Sequence, residues 1–330
     1  MSTKTAIISG GAGFIGVNLF KKIKEKYEKV VCIDNFSLGK YNFLSEFVES
    51  NKLEIIRADC SNKYEVKKIV KELEENNCYG DIWHLAANSD IPSGVKNAEI
   101  DLKDTFMTTF NIVSAMENSS FKTIFFASSS AIYGDHKDKL LNENVGPLMP
   151  ISNYGAMKLS SEAIICSAAE AYLERAVIFR FPNVVGTPAT HGVIYDFTEK
   201  LFFNNKQLEV LGDGSQKKSY LHVNDLIDGM VSVWNSWPNK KKIDIFNIGP
   251  KDEGIFVRDI AHIVSKNFGS NIKIIYGKGN RGWLGDVPRF IYDTSKISKL
   301  VGWKPRLSSR EAIEKASKEI LFQFKNNKKF

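Results

Sequence analysis

Tyr154 and Lys158 stand four residues apart in the run Tyr154-Gly-Ala-Met-Lys158. On a helix that spacing puts a phenol and an ammonium on one face. A tyrosine near its ordinary pKa of about 10 is a poor base at neutral pH. A nearby positive charge stabilises the phenolate and lowers that value, so the pair can take a proton from an alcohol. The same spacing arises by chance on surface helices, where it is only a solvated pair. Two further clusters give it weight. The run Phe125-Phe126-Ala127-Ser128-Ser129-Ser130 closes a strand-like segment. Its three hydroxyls either hold a substrate oxygen or cap the strand. Near the N-terminus, Gly10, Gly11, Gly13 and Gly16 separate the apolar run Ala6-Ile7-Ile8 from a helix-like segment.

Phosphate approaches backbone N–H groups closely only where no Cβ intervenes, and a helix N-terminus adds a favourable dipole. Strand, glycine loop and helix supply both. The spacing Gly10-x-x-Gly13-x-x-Gly16 is one residue longer than the general GxGxxG fingerprint. Asp34 ends the next strand-like run, 18 residues beyond Gly16. A carboxylate there binds both ribose hydroxyls of NAD and repels a 2′-phosphate. The alternative is a purely structural tight turn. Loop, serines and Tyr-Lys pair together make a hydride-transfer constellation.

These groups need a frame. Strands are predicted at 5–9, 30–33, 53–57, 81–85, 123–128 and 176–181, with helix-like stretches near 15–27, 40–50, 62–76, 98–117 and 152–172. Strand and helix in alternation predict a doubly wound α/β fold with a parallel sheet. After about residue 186 the rhythm breaks into short segments and Gly-rich turns, and a smaller C-terminal α/β lobe is expected. A returning segment near 223–250 reads as helix then strand. The expected domains are therefore 1–182, with that returning segment, and mainly 183–330.

Composition bounds the function. The chain has 330 residues, with 43% hydrophobic and 25% charged, which is the balance of a globular protein with a full core. The apolar stretches are too short to span a membrane and the N-terminus lacks a signal-peptide h-region, so a cytoplasmic protein without membrane partners is expected. The net charge is +7, but the basic residues are scattered, which disfavours nucleic-acid binding. A positive cleft also suits a phosphorylated substrate. The four cysteines and five histidines show no metal-ligand spacing, and no metal or disulfide framework is expected.

With these motifs in place, the chain resembles the extended short-chain dehydrogenase/reductase family, in its NAD-dependent epimerase/dehydratase branch, and within it the microbial UDP-glucose 4-epimerases. The glycine loop, "Cys-Ile-Asp34-Asn35", "Arg-Ala-Asp59-Cys60", "His84-Leu-Ala86-Ala87", "Ser129-Ser130-Ala-Ile-Tyr-Gly" and "Tyr154-x-x-x-Lys158" occur in the family's order. So do "Arg180-Phe-Pro-Asn183", "Thr190-His-Gly-Val-Ile-Tyr-Asp-Phe", "Gly212-Asp-Gly-Ser-Gln-Lys-Lys218" and "Arg281-Gly-Trp-Leu-Gly-Asp286". The resemblance covers nearly the whole chain. It implies a Rossmann-type domain, NAD as cofactor, a nucleotide-sugar substrate and a homodimer built on the helices near 98–117 and 152–172. Phe106, Phe110, Ile164 and Ile165 are candidates for that interface, or pack on the sheet instead.

The resemblance also implies roles. Gly10, Gly13, Phe14, Ile15 and Gly16 form the cofactor loop. Asp34 and Asn35 lie at the adenosine ribose, Asp59 and Cys60 at the adenine, and Ala86 and Ala87 on the pyrophosphate path. Ser129 is the catalytic hydroxyl, with Ser130 beside the substrate. Tyr154 is the base, and Lys158 holds the nicotinamide ribose and tunes the tyrosine. Asn183, Lys218 and Arg281 bind the sugar diphosphate, and the run Leu208–Leu211, led by Leu208, flanks the nucleobase. The expected activity is 4-epimerisation of a UDP-hexose through a transient 4-keto sugar.

Departures from the family pattern keep alternatives open. Lys218 stands where many members carry arginine, which loses the bidentate fork. Thr105 replaces a common asparagine and Ser89 a lysine, and Arg281 sits one residue off the usual spacing. Ser130 and Ala131 occupy the positions of a dehydratase Asp-Glu pair, which argues against elimination. A 4-dehydrogenase, or another epimerase on a GDP- or CDP-linked sugar, is the second reading. An NAD-binding regulator is a third, opposed by the intact Ser129, Tyr154 and Lys158.

Overall fold

Continuous apolar runs such as Val30-Val31-Cys32-Ile33 suit strands covered on both faces. In the computed structural model they enter a seven-stranded sheet. The structure describes residues 2–48, 52–137, 139–236, 241–269, 271–279, 287 and 290–327. The strands are β1 (Thr3–Ser9), β2 (Lys29–Asp34), β3 (Leu53–Arg57), β4 (Cys78–His84), β5 (Phe121–Ala127), β6 (Arg175–Arg180) and β7 (Ile243–Asn247). Their order is β7-β6-β5-β4-β1-β2-β3, and β1 to β6 pair in parallel. The expected α/β class holds. Chain direction across the sheet reverses between β1 and β4, the place where such sheets bind ligands beyond their carboxyl ends. Register brings those ends level. Ser9 lies opposite Ile33 and His84, His84 opposite Phe126, and Ala127 opposite Phe179.

Helices α1 (Phe14–Ile23), α2 (Lys63–Glu75), α3 (Thr108–Met116) and α4 (Asn153–Ala171) follow strands as the alternation predicts. Val66, Ile69 and Leu73 of α2, Ile112 and Met116 of α3, and Ile165 and Ala169 of α4 join a core with Ile7, Val31, Ile82, Ile124 and Ile178. Each large aliphatic side chain so buried contributes roughly 1.5–3 kcal/mol. Ile165 is thus a core residue rather than an interface candidate. Phe106, Phe110 and Ile164 keep partial exposure.

Two expected helices differ. Of the expected helix at 40–50, residues 40–48 form short 3-10 turns at Tyr41–Phe43 and Ser45–Phe47, and 49–50 lie outside the described residues. Anchors rather than a helical ladder hold them: Leu44 is buried, Phe47 packs edge-on against Phe20 at 5.3 Å, and Lys40 N–H donates to the Ala12 carbonyl at 3.2 Å. The 98–117 stretch is a helix at Ala98–Asp101, a π-helical segment at Leu102–Met107, and then α3. The Thr105 carbonyl accepts the hydroxyls of Thr108 (2.9 Å) and Thr109 (3.1 Å), which compete with the regular ladder.

The chain divides into two compact units. The first holds Met1–Ile132, Ser152–Arg180 and Trp234–Phe246. The second holds Tyr133–Ile151, Phe181–Val233 and Asn247–Phe330. The division differs from the expected one in two places. Residues 133–151 belong to the second unit, where Tyr133 donates to Asn247 Oδ1 at 2.7 Å and Leu140–Leu141 pairs with Ile291–Tyr292. The return to the first unit spans 234–246 rather than 223–250. The second unit packs helices Val193–Phe203, Val257–Phe268 and Ser309–Asn327 with short strand pairs around Phe197, Leu201, Leu208, Ile260 and Ile313. Among the described residues, no helix is long and apolar enough to cross a membrane, and no His/Cys/Asp/Glu group has metal-binding geometry.

Candidate active site

β1 runs directly into the glycine loop. Gly10 adopts φ +71°, and a Cβ there would lie 2.9 Å from the Ala86 nitrogen. Its N–H donates to the Ile33 carbonyl at 2.8 Å, and Gly13 N–H closes the turn on the Gly10 carbonyl at 3.2 Å. A Cβ on Gly16 would meet that same carbonyl at 2.3 Å, so only glycine lets α1 seat against the loop. Gly13 caps α1 without a side-chain acceptor. The first-turn N–H groups, beginning with Phe14 and Ile15, therefore favour an anion.

Asp34, at the end of β2, is buried and accepts N–H groups from Ala12 (3.0 Å) and Phe36 (2.8 Å). Burial pushes its carboxyl above the ordinary range, and those two donors pull it back. Asn35 is exposed and turns its Oδ1 to Ser37 N–H at 3.0 Å. Beyond β3, Asp59 accepts Ser61 N–H at 2.9 Å and lies 3.3 Å from the Lys103 ammonium. Burial opposes its charge, but Ser61 and Lys103 prevail and hold the carboxyl low. Cys60 is buried and its thiol is pushed up to about 12, so it is inert. Ala86 and Ala87 are partly buried, and the Ser9 hydroxyl oxygen accepts N–H groups from Leu85 (3.2 Å) and Ala86 (3.3 Å).

Beyond β5 the three serines separate. Ser128 donates to Glu162 at 2.5 Å, Ser130 is buried in the turn Ser130–Ile132, and Ser129 hydrogen-bonds the Tyr154 phenol. Ser152 caps α4 by accepting Gly155 N–H at 3.1 Å, which places Tyr154 in its first turn. Lys158 is buried and donates to the Ala127 carbonyl at 2.6 Å. Its ammonium lies 4.6 Å from the Phe126 ring centroid and 5.8 Å from that of Tyr154. Ser129, Tyr154 and Lys158 are thus brought together as expected. One detail is corrected. The spacing predicts a tyrosine with a lowered pKa, yet burial pushes Tyr154 up; the Ser129 hydrogen bond pulls it down, and Asp101 adds to the rise. Burial also pushes Lys158 down to about 7, against the charge of Glu162.

The model of the NAD dependent epimerase/dehydratase family matches residues 6–249. The chain belongs to that family. A putative UDP-glucose 4-epimerase of Methanocaldococcus jannaschii is 30% identical over 97% of this chain and 98% of its own length. The UDP-glucose 4-epimerase of Lactobacillus helveticus is 26% identical over 91% of this chain and 92% of its own. A crystal structure of a UDP-galactose 4-epimerase superposes with TM-score 0.84 at 30% identity, covering 97% of this chain and 99% of that one. The family's cofactor is NAD, and the residues present fit it. The Gly10–Gly16 cradle has no room for a Cβ at either end, first-turn N–H groups stand ready for a diphosphate, and Asp34 offers a buried carboxylate.

The second unit carries the other family positions less uniformly. Asn183 is exposed at the start of a strand that pairs with Tyr220–His222, and Lys218 is buried opposite Ile255. Leu208 is a correction: its side chain is fully buried in the second unit's core and presents no surface to a nucleobase. In the 208–211 run the exposed residues are Glu209 and Leu211, the latter at 65%. Arg281 and Asp286 lie outside the described residues. Thr105 is buried in the π-helical segment and accepts Asn88 N–H at 3.2 Å.

Two buried groups carried no role in the sequence reading. His84 lies 2.6 Å from Ser9 Oγ through Nδ1 and 2.9 Å from Thr109 Oγ1 through Nε2. Ser9 Oγ already accepts two N–H groups, so its proton goes to Nδ1, and Nε2–H of a neutral ring donates to Thr109. Burial, then Lys158, pushes the imidazole down to about 3. Glu162 is the other, and its position four residues after Lys158 was the available signal.

Proposed function

We propose that the protein is an NAD-dependent nucleotide-sugar 4-epimerase acting on a UDP-linked hexose. The observation that carries this reading is the convergence of the Ser129 hydroxyl, the Tyr154 phenol and the buried Lys158 ammonium beyond β5. The chemistry NAD supplies when bound is reversible hydride exchange with C4 of the sugar. Gly10, Gly13, Phe14, Ile15 and Gly16 would hold its diphosphate, with Ala86 and Ala87 lining the path. Asp34 and Asn35 would meet the ribose, Asp59 and the Cys60 backbone the adenine, and Lys158 the second ribose. Tyr154 takes the proton of the sugar 4-hydroxyl while Ser129 hydrogen-bonds the same oxygen. Lys158 supplies the positive charge that the phenolate needs, since burial alone disfavours it. The 4-keto sugar would turn over so that the opposite face of C4 is presented for return of the hydride, and Tyr154 gives its proton back to the 4-oxygen. Ser130, Asn183, Lys218 and Arg281 are assigned to the substrate.

The names of the relatives support UDP as the nucleotide. The test is incubation with UDP-glucose, UDP-N-acetylglucosamine and GDP-linked sugars in separate tubes, followed by proton NMR and by absorbance of reduced nicotinamide. A 4-epimer of equal mass without reduced cofactor is expected from a UDP sugar. Reaction only with a GDP sugar, or accumulation of reduced cofactor, would replace this reading with the dehydrogenase or non-UDP alternative. We also propose a cytoplasmic homodimer, supported by partial exposure of Phe106, Phe110 and Ile164 beside exposed Leu102. A monomeric mass by light scattering would refute the dimer.

A further inference from the structure

Behind the Tyr154–Lys158 face lie three buried polar side chains that the reaction above does not use. Glu162 is one helical turn beyond Lys158, so residues 154, 158 and 162 share one face of α4. Arg180, the last residue of β6, donates from Nε to Glu162 Oε1 at 3.0 Å and from Nη2 to Oε2 at 2.7 Å. Ser128 donates to Oε1 at 2.5 Å. The Glu162 and Arg180 side chains are only 5% and 4% exposed. Ser128 in turn stands between Ala127, whose carbonyl holds the Lys158 ammonium, and Ser129. One carboxylate therefore ties together the end of β5, helix α4 and the end of β6.

We propose that Glu162 is a positioning residue: gripped by Arg180 and Ser128, it fixes the strand end that carries Ser129 against the helix that carries Lys158, and it sets a carboxylate one helical turn from that lysine. The proposal rests on the reading of Ser129, Tyr154 and Lys158 as the reacting set. A buried ion pair is a weak device for stability, because desolvation offsets most of its attraction. A bidentate arginine–carboxylate pair is a strong device for geometry. The titratable groups that act on this ammonium are Glu162 and Tyr154 on α4 and neutral His84 on β4; Arg180 on β6 and Cys166 on α4 adjoin Glu162, and Asp101 acts on Tyr154. Glu162 is the carboxylate that opposes the effect of burial on Lys158. With it gone, burial would leave a neutral amine at neutral pH, and a neutral amine does not support a phenolate at Tyr154.

The test follows Lys158 directly, by NMR of NAD-loaded protein carrying isotope-labelled lysine, with the signal identified by its loss in Lys158→Met. The pH profile of kcat on UDP-glucose or UDP-N-acetylglucosamine is measured beside it. Glu162→Gln is expected to lower the Lys158 titration midpoint by roughly one pH unit or more, and to move the alkaline limb of kcat down with it. Glu162→Asp keeps the charge but shortens the reach. It should hold the midpoint near wild type while kcat falls and KM stays. Ser128→Ala should lower kcat about tenfold through misplacement of Ser129, with the midpoint unmoved. If Glu162→Gln does not fold once Arg180 has lost its carboxylate, Glu162→Gln/Arg180→Met removes both charges and should shift the midpoint in the same direction. An unchanged midpoint and an unchanged kcat limb in the folded variant would overturn the proposal. Absence of turnover by the wild type on every nucleotide sugar would instead defeat the epimerase reading, and the Lys158 titration would still decide the role of Glu162.

Discussion

Toward the amino ends of the strands, Tyr27 sits among Asp81, Trp83 and Trp234; beyond the carboxyl ends, Tyr154 sits with Ser129 and Lys158. Burial pushes both phenols up, so burial does not distinguish them. Their partners do. The Tyr27 hydroxyl donates to Asp81 Oδ2 at 2.5 Å and accepts from Trp83 Nε1 at 3.4 Å, while its ring stacks on Trp234 at 5.3 Å. The Asp81 charge drives that phenol further from ionising. Tyr154 meets a serine hydroxyl that favours its phenolate, with a buried ammonium nearby. A buried tyrosine that gives its proton to a carboxylate is a staple. One facing a donor and a cation is a candidate base.

The largest expected effect is at the carboxyl end. Tyr154→Phe should lower kcat by about 10²–10⁴-fold and leave the thermal midpoint close to wild type; comparable activity in the variant would erase the distinction between the two phenols. Asp34→Ala, at the same end, should raise the Kd for NAD about tenfold by removing charge-assisted hydrogen bonds, as calorimetry would show. Tyr27→Phe should do the reverse of Tyr154→Phe. It removes one of the two side-chain donors to Asp81, leaving Trp234, and should cost roughly 1–2 kcal/mol in denaturant unfolding, with kcat unchanged.

A further effect is a pH dependence of stability. Folded Lys158 titrates near 7, against 10.5 for an unperturbed lysine. Between those values the unfolded chain holds one more proton than the native one, so this group makes stability rise with pH. Its contribution is complete above the unfolded pKa and is lost as pH falls through the folded one. Unfolding midpoints of wild type should therefore gain on those of Lys158→Met as pH rises from about 6 to about 9. A gap that stays constant would mean that Lys158 remains charged throughout.

Much of the carboxyl end was legible because its signals are local. Glycine spacing reports a backbone without room for a Cβ, as Gly10 and Gly16 show. An i, i+4 pair reports a shared helix face, as Tyr154 and Lys158 show. The sheet was legible where strands are continuous apolar runs, and β3 spans the predicted 53–57. What depends on long-range partners was not. No local signal tells that Ser128 faces Glu162 and Ser129 faces Tyr154, because the side chains of the two serines turn to different neighbours in the fold. The π-helical turn at Thr105 arises from hydroxyls that a periodicity argument treats as ordinary helix positions. Leu208 reads the same as an exposed leucine until its strand pairs with Lys273–Tyr276 and it enters the core. The amino-end cluster joins Tyr27, Asp81 and Trp234, residues far apart in sequence that only the sheet brings together.

The most direct test of the central claim uses UDP-glucose carrying deuterium at C4, incubated with the NAD-loaded protein. Removal and return of the same hydride should leave the deuterium at C4 of the 4-epimer, with no solvent proton entering and no reduced nicotinamide building up. Loss of the label to water, or release of a 4-keto product with reduced cofactor, would contradict 4-epimerisation by the Ser129, Tyr154 and Lys158 set.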